Sequence, residues 1–160
     1  MRLVGIVNIT RNQIERLQLY DENPIKSNIL TKEPEDLKYF LTLNFDDKLK
    51  SVFQKLISLG KKYKQSMHPH ALLENNIFSL NLSDCGNSHS NFIKFELKKL
   101  KNLDNFKLCF DFDPFKNLYE VIKMKKIFEL KFARMEERNG GMISAQSNDK
   151  SERYFIISRT

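Results

Sequence analysis

Three histidines and two cysteines are the first side chains to consider for chemistry. His68 and His70 form a His-Pro-His, and Cys85 and His89 follow. Imidazole and thiolate are ligand types that zinc sites use. The spacing matches no structural finger, and the stretch between 70 and 85 reads largely as a strand. His68, His70, Cys85 and His89 therefore stand as a minor metal candidate. The same histidines titrate near neutrality and suit acid–base work. The paired His-x-Thr or His-x-Ser motifs of metal-independent phosphodiesterases are missing.

An acidic constellation is the second candidate. Asp111 and Asp113 close one apolar run, and Glu129-Leu130-Lys131 lies in a later one. Two carboxylates that share a divalent ion on a scissile phosphate, with a lysine assisting the attacking water, would make a metal-dependent nuclease. Asp111, Asp113, Glu129 and Lys131 resemble the Asp…Glu-x-Lys arrangement of the PD-(D/E)xK nucleases. A helix expected between the two runs departs from that pattern, and Asp113 has a sufficient task as a helix cap. No Gly-x-Ser-x-Gly, Gly-x-Gly-x-x-Gly or Walker loop occurs, so no nucleotide or other cofactor is expected.

Charge gives the stronger signal. The 160-residue chain has twenty-seven Lys and Arg against twenty Asp and Glu, a net +7. Residues 1–44 carry six of each sign, so the whole excess lies in residues 45–160. Such an asymmetry points to an anionic partner. The lysines cluster over 45–64 and 94–107, which nominates Lys48, Lys55, Lys61, Lys62, Lys64, Lys98, Lys99 and Lys101 as a binding face. Twenty of the cations are lysine and seven are arginine, which favours phosphate contact over bidentate base reading. Fifteen asparagines beside those lysines also fit an AT-rich genome, a second source for the excess.

These residues need elements to position them. Residues 3–9 read as a buried strand. Thr10 and Gln13 make a capping box for a helix that Asn23-Pro24 ends. Alternation over 37–43 suggests a strand. The clearest helix covers 45–64, with Asn44 as N-cap and Leu49, Val52, Phe53, Leu56 and Ile57 on one stripe. Residues around His68 read as an exposed loop. Runs 77–82, 92–97 and 106–112 alternate and pair most simply as an antiparallel meander. Asp113-Pro114 opens a third helix. Strands 127–135 and 154–158 close the chain, with a long exposed loop around 139–153.

The fold expectation is a single α+β domain over residues 1–160. It has a mixed or mainly antiparallel sheet of about six to seven strands, with about three helices packed on it. A small barrel capped by helices is the alternative. The N-terminal apolar run is too short for a signal-peptide core, and no stretch approaches a membrane span. The expectation is a cytoplasmic protein with Cys85 and Cys109 reduced and no membrane partner. The functional expectation is a small basic, non-catalytic binding or accessory protein. Its partner is nucleic acid or a nucleoprotein complex, with an acidic protein as the alternative partner.

Overall fold

A computed structural model of the chain describes residues 2–5, 29–30, 36–63, 66–84, 91–135 and 139–159. The α+β class holds, but the strands divide into two sheets rather than one. In chain order the strands are β1 (Arg2–Gly5), β2 (Ile29–Leu30), β3 (Leu37–Asn44), β4 (His68–Glu74), β5 (Ile77–Ser83), β6 (Asn91–Lys99), β7 (Phe106–Cys109), β8 (Glu129–Met135), β9 (Gly140–Gln146) and β10 (Glu152–Ile157). Two helices are described, α1 (Asp47–Tyr63) and α2 (Phe112–Met124). The helix expected after Thr10 lies outside the described residues.

The first sheet has the order β2-β1-β10-β9-β8-β3. Its β10-β9-β8-β3 part is antiparallel, and β1 extends it parallel to β10. The second sheet is antiparallel with the order β6-β5-β4-β7. The expected meander stops at β6, because β7 crosses the sheet to pair with β4. One apolar core joins the sheets and helices. Phe78 of β5 packs edge-on against Phe132 of β8 at 5.0 Å between centroids, and Phe40 meets Phe106 at 5.0 Å.

The α1 stripe does what its spacing requires. Leu49, Val52, Phe53, Leu56 and Ile57 are all buried, with Phe53 and Leu56 fully so. Phe53 stacks on Phe115 of α2 at 4.7 Å with the rings nearly parallel. The N-cap is Asp46 rather than Asn44, since its carboxylate accepts the Leu49 N–H at 2.9 Å. The cap of α2 also moves by two residues: Asp111 precedes the helix, and Asp113 sits in its first turn.

Two strands occupy positions that composition assigned to loops. β4 is central in its sheet although it contains Pro69. Pro69 is tolerated because its N and C=O face the β7 side at the very end of that ladder, so its missing N–H costs at most one terminal bond. Pairing with β7 starts at His70 opposite Cys109, and the Pro69 carbonyl takes the Phe110 N–H at 2.9 Å. β9 has the residues Gly-Gly-Met-Ile-Ser-Ala-Gln and is buried almost throughout. Its small residues reflect crowding. A Cβ on Gly141 would lie 2.6 Å from the Ala133 carbonyl oxygen and would collide with Leu108 from the second sheet.

Candidate binding surface

The lysines of α1 flank its buried stripe on two sides. At 100° per residue, Lys48, Lys55 and Lys62 recur every seven positions on one flank, while Lys50 and Lys61 share the other. All five are exposed. The first flank faces β6: the Lys55 ammonium lies 5.7 Å from the centre of the Phe95 ring. This is cation–π distance, and it orients the lysine without neutralising it.

At the N-terminal end of α1 the same flank borders a cleft of about 230 Å3. Thr42, Leu43 and Asn44 from β3, Asp46, Lys48 and Leu49 from the start of α1, and Leu97 and Lys98 from β6 line it. It therefore sits where the edge strands of both sheets meet one helix end. Lys98 reaches it because the β5–β6 register shifts between Phe78 and Ser79, which places Lys98 opposite core-facing Phe78. Asp46 is the acidic group in the cleft, and its carboxylate is engaged in capping α1.

The structure thus brings Lys48, Lys55 and Lys98 to one region, with Lys62 further along the same helix flank. It separates Lys61 from them. Lys99 is exposed at the end of β6 opposite Ile77, Lys101 is exposed beyond that strand, and Lys64 lies outside the described residues. Helical periodicity alone shows the Lys48/Lys55/Lys62 flank. The link to Lys98 needs the fold.

The nuclease constellation is dispersed. β7 pairs with β4 and β8 pairs with β3 and β9, so the two strands that would share the metal belong to different sheets. Asp111 forms an ion pair with Arg159 at 3.3 Å. Asp113 is an exposed first-turn acid of α2, and Glu129 is exposed at the start of β8. The Lys131 ammonium sits 5.8 Å from the centre of the Tyr39 ring. The same ring meets the Arg153 guanidinium at 5.5 Å, and Arg153 donates to the Tyr39 hydroxyl at 2.6 Å. Lys131 therefore packs beside Tyr39 on the first sheet, in a cluster with no sequence signal because Tyr39 and Arg153 are 114 residues apart.

The histidines form a short polar row on the second sheet. His70 stands opposite Asn81 and Cys109, and His68 opposite Ser83. His70 is buried, and its Nδ1 is 2.8 Å from the His68 carbonyl and 3.1 Å from the Ser83 hydroxyl. A carbonyl only accepts, so Nδ1 carries the proton. Burial, assisted by the charge of Lys107, pushes the His70 imidazole down to about 4. Burial also lowers His68; the Arg159 charge adds to this and Asp111 opposes it.

Cys109 is disulfide-bonded, which corrects the expectation of reduced thiols. The chain has one other cysteine, Cys85. β5 and β7 flank β4, so Ser83 and Cys109 come to the same end of the sheet. Cys85 and His89 lie outside the described residues, and among the described residues no group of three ligand side chains gathers. Also among the described residues, no helix is long and apolar enough to cross a membrane. The chain matches no protein-family model, no curated protein and no solved structure.

Proposed function

We propose that this chain is a non-catalytic binding protein. Its lysine face, Lys48, Lys55, Lys62 and Lys98, contacts a polyanion, with nucleic acid the ligand class that fits best. The observation that carries this reading is the convergence of α1 and β6 cations around the cleft between the two sheet edges. The charges project from two packed elements, so little ordering entropy opposes binding at the backbone. Lysine ammonium groups make point contacts to phosphate and do not read bases bidentately, so the binding is sequence-tolerant and salt-sensitive. An acidic protein surface is the other occupant of the same face.

Fluorescence anisotropy with labelled single-stranded and double-stranded oligonucleotides, titrated across salt, tests the proposal. On duplex DNA each phosphate contact contributes about 0.9 to the log–log salt slope. Replacing Lys48, Lys55 and Lys98 together with Gln should reduce that slope by roughly 2.7. Replacing Lys50 and Lys61, on the opposite flank, should change it far less. Absence of binding to any oligonucleotide at low salt rejects the nucleic-acid reading and leaves the acidic protein. Equal losses from the two sets of substitutions reject the assignment of the face. The disulfide at Cys109 bears on location, because such bonds persist in oxidising compartments. It weighs against the cytoplasmic placement, and thiol titration of protein from its native source decides that point.

A further inference from the structure

Strand β6 is the edge of the second sheet, and among the described residues it pairs with β5 alone. At nine residues it is long for an unpaired rim. An edge presents a row of backbone donors and acceptors that another strand can complete. Natural edges are commonly blunted by bulges, and β6 has two register irregularities, near Asn91–Ile93 and Glu96–Lys98. Between them, Ile93 to Glu96 stay in regular register with Leu82 to Ser79.

This stretch has an internal symmetry of residue class. Around Phe95 the flanking residues are Lys94 and Glu96, of opposite charge, and beyond them Ile93 and Leu97, both apolar. Lys94 and Glu96 are exposed, while Ile93, Phe95 and Leu97 are half-buried and lean on the core. A second copy laid antiparallel against β6, with the two-fold axis at Phe95, places Lys94 opposite Glu96 and Glu96 opposite Lys94. Ile93 then meets Leu97 twice, and Phe95 meets its symmetry mate. Moving the axis by one residue in either direction sets like charges against each other at position 94 or 96. Moving it to Leu97 sets Phe95 against Lys99 and crosses the bulge.

We infer that β6 is a self-complementary dimerisation edge, and that two copies of this chain join their four-stranded sheets into one continuous eight-stranded sheet. The contact is isologous, as a two-fold interface requires, so every favourable pair is made twice. Opposite-charge and aromatic cross-strand pairs are the units that stabilise such a ladder.

Sedimentation equilibrium on the protein alone, from about 1 μM to about 1 mM, tests the inference without reference to any ligand. Wild type should shift to twice the chain mass with rising concentration. Glu96→Lys turns both attractive charge pairs into repulsive ones and should weaken dimerisation about tenfold or more. The double variant Lys94→Glu/Glu96→Lys rebuilds both pairs with reversed polarity and should restore wild-type association. Both positions are exposed, so the folded state is retained, and circular dichroism verifies this. The inference is overturned if wild type stays monomeric throughout. It is equally overturned if Glu96→Lys dimerises as tightly as wild type, or if the charge swap fails to rescue it.

Discussion

Replacing Gly60 with Ala sets two effects of opposite sign against each other at the joint between the helices. Gly60 is buried in the last turn of α1. Alanine in a helix is favoured over glycine by roughly 1 kcal/mol, which would stabilise the protein. The space is absent, however. A Cβ at Gly60 would lie 2.6 Å from Cδ2 and 3.2 Å from Cζ of Phe112, and nearer still to Cε2. Carbon atoms rest at about 3.5–4.0 Å, so the ring has to withdraw by more than about 1 Å. Phe112 is 5% exposed and opens α2, beside fully buried Phe115. Its ring belongs to the close-packed core, and swinging it outward forfeits burial worth roughly 2–3 kcal/mol. Overpacking of this kind costs about 1–3 kcal/mol, and it exceeds the propensity gain. The expected net effect is a loss of about 1–2 kcal/mol, or a Tm lower by about 2–8 °C for a domain of this length. Urea unfolding should show a lower midpoint with an unchanged slope. The decisive measurement repeats the substitution in a Phe112→Leu background, where the ring edge is gone. There Gly60→Ala should become neutral or stabilising by up to about 1 kcal/mol, an interaction energy of roughly 2 kcal/mol between the sites. If Gly60→Ala stabilises the wild type, or if its effect ignores residue 112, the steric argument is refuted.

The neutral, buried His70 predicts a pH effect of defined sign. The unfolded imidazole binds a proton below about 6.5 and the native one only below about 4, so stability should fall as pH drops through that window. The ceiling is about 3 kcal/mol, and urea midpoints at several pH values should show a shallower fall for His70→Gln. The charges that set this environment are Lys107 and Asp84, with His68 adjacent. The disulfide at Cys109 predicts that reduction, or Cys109→Ser, lowers stability by about 2–4 kcal/mol in a thermal or urea melt. An unchanged melt after complete reduction would show that the bond constrains nothing.

Local pattern carried much of the fold. The α1 stripe was legible because a helix repeats every 3.6 residues and five apolar side chains kept that phase. The α+β class was legible from runs of alternating residues around that helix. β4 and β9 were missed for specific reasons. Pro69 and two polar histidines disguise the first, and glycine, serine and alanine disguise the second. In both cases the residue types answer to neighbours that are distant in sequence. Pro69 is acceptable because it faces β7 at the end of their ladder, where one missing N–H costs little. Gly141 is small because Ala133 and Leu108 close over it. The caps slipped by two residues because Asn44 and Asp46 are equally good cap types, as are Asp111 and Asp113. Only the path of the backbone chooses between them.

The candidate sites divide along the same line. The sequence by itself determined the charge asymmetry, the helix that displays Lys48, Lys55 and Lys62 at heptad spacing, and the Ile-Lys-Phe-Glu-Leu symmetry of β6. These are properties of residue type and short spacing, and no tertiary contact alters them. The tertiary structure decided which strands are neighbours. It sent β7 to β4 and β8 to the other sheet, which dispersed Asp111, Asp113, Glu129 and Lys131. It also placed Lys98 beside Lys48 and left β6 at an edge. Strand pairing is set by which arrangement buries the apolar faces of all the strands together. That quantity belongs to the whole chain, and no window of sequence contains it.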